Sequence, residues 1–563
     1  MKSNTTYDVQ ILRIDRWITE VRLDGEEEAK ALALKHLAAS TCEGARVLRC
    51  WLRADGTEME TELFSKTQQV KDDGVARIDH IDSAPDRCEA FEDYFSLSSR
   101  LLMARVFHTY LDKVTLTPTE MLHSPRDFKR MQDKDSLVLS AVDRVASMQA
   151  RKAGMDAKVR KEEIFKAIDA IIAKARKVET VELPKASTSL AALIAALPAT
   201  ANDWERDYLV RTALTRDLKD VRSFTGKLEK LCKLAQGADH PGQAALLDGF
   251  IAELLETSAT MDVLGWQAGL GQAICSMIDL TDGVMSTKKS EAADVASLLN
   301  SLFAEQRLPD SRAGMIDRAH RQINVASPLY RSDDQQEYDT FKKVVLRVLS
   351  PSGLLSGTET AVALTGRYLR MVKESDRKGA ISAVFRAMPD RAYGIIYLCD
   401  LADSEFAAEA ASKLAEAYPP SVSGQHITNI VQRTLSPKDR LIRATTAFQA
   451  LMAAPFAQKV KQPVIDHIDR LLDEYLVEER IVEKLDNPDA TLRDRAVRMV
   501  QFCASGVLPE GMALARARQR VKEILRHPNF DAHFVEGISD PAKAQKTLRD
   551  FHQLLINKAG FSG

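Results

Sequence analysis

From Glu92 onward, apolar residues recur three and four positions apart, with few glycines or prolines between them. That spacing gives each of many short helices one apolar stripe. A chain patterned this way must bury its stripes against one another. The expected fold is therefore mainly α, a long helical bundle or an irregular α-solenoid. At 563 residues the chain is too long for one ordinary core. It holds only 25 glycines, 19 prolines and 6% aromatic residues. That usage favours helix over sheet.

The first 65 residues break the helical pattern. Leu48, Cys50 and Leu52 alternate with Val47 and Trp51, and Asp55-Gly56 then supplies a tight turn. Met59, Thr61 and Leu63 next alternate with Glu58, Glu60 and Glu62, so one side of this strand should meet water. Upstream, Val9 and Ile11 alternate, and Trp17, Thr19, Val21 and Leu23 are expected to share one face of a second strand. Between the pairs, Glu26–Ser40 sets Ala29, Leu32, Ala33, His36 and Leu37 at helical spacing behind an acidic first turn. Residues 1–66 therefore read as a small N-terminal α/β module, ββαββ, with one helix covering one face of an antiparallel sheet.

An acidic linker is expected over 67–90. Helical regions follow over 91–182, 190–305 and 338–563. Polar, proline-bearing loops separate them at Glu182–Ser189 and around 307–336, and Ala417–Gly424 interrupts the last. Within 91–182, Asp135–Gln149 and Phe165–Ala175 fit a helical hairpin or coiled coil. Few heptads run unbroken, so the spacing alone favours plain bundle packing.

The segment "DNPDATLRDRAVRMVQF", Asp486–Phe502, carries Pro488, Asp489, Arg493 and Ala496 in an order that resembles the second half of a HEAT repeat. Leu435–Leu451 is a fainter echo of it. The resemblance implies stacked helix pairs in the C-terminal third and a protein-binding surface, with Asp489 and Arg493 serving the stacking.

Ile78–Asp93 gathers Asp79, His80, Asp82, Asp86, Cys88 and Glu89, but in neither an EF-hand nor a zinc spacing. His527 and His533 flank Pro528 and do not share a helical face as ligand pairs do. Glycine-rich phosphate loops and a GxSxG elbow are absent from the sequence. No catalytic, metal-binding or cofactor-binding residue is named on these grounds, and no cofactor is expected. The seven cysteines are scattered without a CxxC pair, which suits the reduced thiols of a cytoplasmic protein. "MKSNTTYDVQ" lacks the apolar core of a secretory signal, and no apolar run is long enough for a transmembrane segment.

The net charge of −2 supplies no general pull toward nucleic acid, which is not expected as a partner. Two stretches are nonetheless basic, Arg151–Lys177 and Ala515–His527. In the second, Arg516, Arg520 and Arg526 lie opposite Leu514, Val521 and Leu525, and are taken as partner-binding residues on an exposed ridge. The leading expectation is a non-enzymatic cytoplasmic scaffold or adaptor. It would bind a protein partner through the helical surface and the N-terminal module, and its sheet edges leave a homo-oligomer open. The alternative is an enzyme or ligand-regulated sensor with a site between helices. A third reading is a nucleic-acid-associated factor that uses the basic helices.

Overall fold

A computed structural model describes residues 5–13, 16–38, 44–52, 58–67, 78, 81, 85–134, 136–185, 189–197, 202–238, 240–288, 290, 292–330, 334–372, 375–417, 426–557 and 559–561. The protein is mainly α, with helix making up 68% of it. The N-terminal module forms in the expected order. It runs β1 (Thr5–Arg13), β2 (Arg16–Leu23), α1 (Glu26–Ala38), β3 (Gly44–Leu52) and β4 (Glu58–Thr67). The sheet is antiparallel with strand order β2-β1-β3-β4. α1 lays Ala29, Ala33 and Leu37 over Val9, Ile11 and Val47. The Asp55-Gly56 turn lies outside the described residues, as do Asp79, His80, Asp82 and most of the 67–90 linker.

One expected face is corrected by the register. β2 carries an extra residue, so Val21 pairs with Val9 while Thr19 pairs with Gln10. Such a bulge rotates the strand locally. Val21 and Leu23 therefore join the core under α1, while Thr19 turns to the opposite face and accepts a bond from Gln10 Nε2 at 3.0 Å. β4 is bulged in the same way, which turns Phe64 toward that core. The face away from α1 is polar yet buried at its centre. Arg22 Nε donates to Asp8 at 3.0 Å, and Arg46 Nε donates to Gln10 Oε1 at 2.7 Å. Pairing of this kind offsets the cost of taking polar groups out of water.

The chain divides into two units, residues 1–344 and 345–563. The five-part division expected from the sequence is finer than this. In the first unit, buried charges tie the helices Leu97–Val106, Pro118–Leu122, Phe224–Gln236 and Pro241–Leu255 together. Arg100 pairs with Glu253 and donates to Thr119 Oγ1 at 2.8 Å, and the Thr119 amide donates to Glu253 at 2.9 Å. Gly249 leaves room for the guanidinium, because a Cβ there would stand 3.0 Å from Arg100 Nη2. Lys227 Nζ reaches both Glu120 oxygens, at 2.7 and 2.9 Å, and the Thr115 carbonyl. Glu120 also closes a capping box with Thr117.

Beside this frame, the helices Leu137–Ala153 and Ala157–Glu179 pack on each other as a hairpin rather than as independent bundle members. Gly154, at φ +66°, closes the turn between them in a backbone region that glycine enters without steric cost.

In the second unit, the helix Pro437–Ala453 packs on Gln458–Glu478, and Leu492–Ala504 packs on Met512–Leu525. The helix Pro541–Asn557 follows against Leu492–Ala504. This unit adds a short ladder, Leu349–Ser350 with Gly353–Leu354, whereas strands were expected only near the N-terminus. Two residues per strand are too few to show a period in sequence. Among the described residues, no helix is long and apolar enough to cross a membrane.

Candidate functional site: a cavity beside the helical hairpin

The hairpin does not close fully on the helix Leu97–Val106. A cavity of about 700 Å³ remains between them. Val138, Ala141, Val142 and Val145 line it from one arm, and Ile164, Ile168 and Ile171 from the other. Leu102, Val106 and Phe107 close the third side. Each arm contributes a wall from one end residue to another, Val138 to Gln149 and Arg160 to Ile171. Either wall covers about 16 Å of helix rise. The lengthwise, mostly apolar form follows from the sequence, because both arms keep their apolar residues on one stripe.

The volume lies within the range of small-molecule sites, which are concave, largely apolar and often set between helices.

Polar groups gather at the end of the cavity nearest the hairpin turn. Arg160 is 2% exposed, donates from Nε to Gln149 Oε1 at 2.7 Å and pairs with Glu163 at 2.9 Å. Gln149 Nε2 in turn donates to the Asp86 carbonyl at 2.8 Å, so its carboxamide is occupied at both ends. Cys88 Sγ lies 3.3 Å from Ser99 Oγ. Ser99 gives its own proton to the Asp93 carbonyl at 2.7 Å, which makes the thiol the donor of that pair. Tyr94 completes the cluster beside Arg160.

Burial raises the Cys88 thiol, opposed by the charge of Arg160. Burial also raises the Tyr94 phenol, opposed chiefly by Arg160. Both groups therefore keep their protons near neutral pH and are not poised for acid–base exchange. The cluster can hold a ligand by donating hydrogen bonds to it.

A second polar edge has a different character. Arg105 bonds Glu256 at 3.3 Å and Asp317 at 2.5 Å, and Arg321 bonds Glu256 at 2.7 and 2.9 Å. Arg321 also pairs with Asp317. Two cations and two carboxylates balance each other in charge, while Arg105 Nε stays buried without a hydrogen-bond partner.

The residues singled out in the sequence fall elsewhere. Arg516 makes a two-pronged pair with Asp473 at 2.6 and 2.7 Å, and Arg520 pairs with the fully buried Asp486 at 2.6 Å. Arg495 reaches the same Asp486, also at 2.6 Å. Arg516 and Arg520 thus join neighbouring elements of the helical stack. Arg526 is exposed at the end of its helix. Arg493 donates to the carbonyls of Phe534 and Glu536, at 2.6 and 2.5 Å, and so contacts the next element of the stack. Of the acidic cluster considered for metal, Cys88 borders the cavity and Asp86 its rim. No group of side chains suited to a metal ion occurs among the described residues.

Sequence reasoning passed over Tyr94, Gln149 and Arg160. The signal available was a glutamine and an arginine continuing two otherwise apolar stripes. Comparison with family models, curated proteins and solved structures finds no match for the chain.

Proposed function

We propose that the first unit binds a small apolar molecule in the cavity beside the helical hairpin, which makes this a ligand-binding helical protein. This is the second of the readings drawn from the sequence, a site between helices. The observation that carries it is the cavity itself, about 700 Å³ with mostly apolar walls. Its polar groups favour binding over chemistry, since the two acidic protons there are held above the neutral range.

The test is a fluorescence titration with 1-N-phenylnaphthylamine, a neutral probe that brightens in apolar surroundings. The expected result is saturable binding of one probe per chain, lost in Ala141→Trp, whose indole would fill the middle of the cavity. Thermal melting of that variant should be unchanged or higher, because the indole occupies space rather than displacing packed neighbours. Saturable binding that survives the substitution unchanged would place the probe elsewhere and refute the proposal.

The scaffold reading stands as a second proposal, supported by the stacked helix pairs between Pro437 and Asn557. A cytoplasmic location goes with both readings, supported by free thiols at Cys50, Cys88, Cys232, Cys275, Cys399 and Cys503. Recovery of one stoichiometric protein partner, lost on removal of residues 345–563, would favour the scaffold.

A further inference from the structure

We infer that the cavity takes an amphipathic chain with a carboxylate head. The head lies between Tyr94 and Arg160, and the tail runs along the hairpin toward Met131 and Ile171. The inference rests on the cavity-binding proposal and adds the ligand's chemistry and direction.

Three observations point the same way. First, the cavity changes character along its length. Tyr94, Gln149 and Arg160 stand at the turn end, Arg105, Asp317 and Arg321 form a charge-paired edge, and Leu122, Phe128, Met131 and Ile171 close the end opposite the turn. A long space with one apolar end suits a chain better than a compact ring.

Second, the buried groups of the polar end offer donors, while two of its acceptors are already taken. Gln149 Oε1 is taken by Arg160, and Ser99 Oγ is taken by Cys88. Tyr94 keeps its phenolic proton, and Arg160 supplies only N–H donors. A head that accepts hydrogen bonds is matched by this set, whereas an ammonium head would face a guanidinium.

Third, the positive charge of Arg160 is only partly answered. Its carboxylate partner, Glu163, is 35% exposed and is shared with Arg87 at 3.2 Å. Of the other acids at this end, Asp93 accepts from the Glu89 and Ala90 amides at 2.8 Å, and Asp86 and Glu89 stand in water. Asp86 meets Lys152 at 3.0 Å, and Glu89 meets Arg87 at 3.6 Å. Solvent screens those exposed charges, while Arg160 acts from a buried position. A carboxylate against Arg160 would gain a charge-assisted bond there. Asp86 and Ser98 are exposed at the same end, so the chain would enter tail first and leave its head near solvent.

The test measures displacement of 1-N-phenylnaphthylamine by dodecanoate, methyl dodecanoate and dodecylamine, which share one tail and differ in head. Dodecanoate should displace the probe at a concentration about tenfold below the other two, the size of one good charge-assisted bond. Arg160→Met should reduce that preference to less than about threefold while probe binding stays intact. Tyr94→Phe should weaken the preference in the same direction, and it decides the matter if the arginine variant does not fold. Equal displacement by acid and ester, with the probe still bound, would overturn the head-group assignment and leave the cavity reading standing. Absence of probe binding in the unaltered protein would overturn both.

Discussion

On one side of the helix Leu97–Val106, Arg100 is locked to Glu253 and Thr119 inside a buried, charged junction. On its other side, Leu102 and Val106 border open space. The same ten residues thus serve two kinds of interior. The junction holds four helices at fixed spacing with charges that have nowhere else to go. Because that frame carries the geometry, the hairpin beside it need not fill every gap. Rigid support next to an unfilled space is the arrangement a binding site requires.

The largest expected effect comes from breaking the junction. Glu253→Ala strands Arg100 in the interior and should cost about 3–5 kcal/mol in urea unfolding. Lys227→Met should act similarly by isolating Glu120, which is fully buried. A cost below about 1 kcal/mol for either would mean the frame does not depend on these charges.

A matched truncation sharpens the contrast between the two sides. Ile251 is fully buried in the packed side, and Ile168 lines the cavity. Ile251→Ala should fall near the upper part of the usual range, about 4 kcal/mol, and Ile168→Ala near its lower limit, about 2 kcal/mol. The reason is that Ile168 already lacks neighbours on one side. Equal costs would mean that the cavity side is as tightly packed as the frame.

The second unit provides a smaller test of the same distinction between stitched and free surface. Arg516→Glu sets a carboxylate against Asp473 and should cost about 1–2 kcal/mol, reduced by the partial exposure of the arginine. Arg526→Glu should stay within about 0.5 kcal/mol, because Arg526 stands in solvent. Thermal melting of the two variants separates these outcomes, and equal shifts would remove the distinction.

A pH effect is expected at Asp400, the last residue of the helix Arg391–Asp400. Burial pushes its carboxyl up to about 7 from the usual 3.8. The helix C-terminus disfavours a negative charge at that place as well. The folded state therefore binds a proton more tightly than the unfolded state. The stability this contributes is fully present below about 3.8 and is lost as pH rises through about 7. Melting temperature should fall between pH 6 and pH 8 in the unaltered protein and fall less in Asp400→Asn. Identical pH profiles would show that Asp400 titrates normally.

The N-terminal module was legible because alternation names its strands and an acidic first turn names its helix. Its bulges were not legible, since an extra residue in β2 leaves the composition of the strand unchanged and moves Thr19 to the other face. The helices were legible from their stripes. The cavity was not, because Val138, Ala141 and Val145 have the same spacing whether their side chains meet neighbours or empty space. Periodicity tells which face turns inward and says nothing of whether that interior is filled. The arginines at 516 and 520 show the converse. Their position opposite an apolar stripe reads as free surface, but the carboxylates they meet come from Asp473 and Asp486, 43 and 34 residues away.

Whether the space beside the hairpin holds a ligand can be read by photocrosslinking with a long-chain alkyl diazirine that carries no head group, followed by peptide mapping of the labelled full-length chain. Labels should concentrate on Leu137–Ala153, Ala157–Glu179 and Leu97–Val106, and Ala141→Trp should remove them. Labels on exposed apolar residues such as Val284 or Met512, unchanged by that substitution, would contradict a ligand site there.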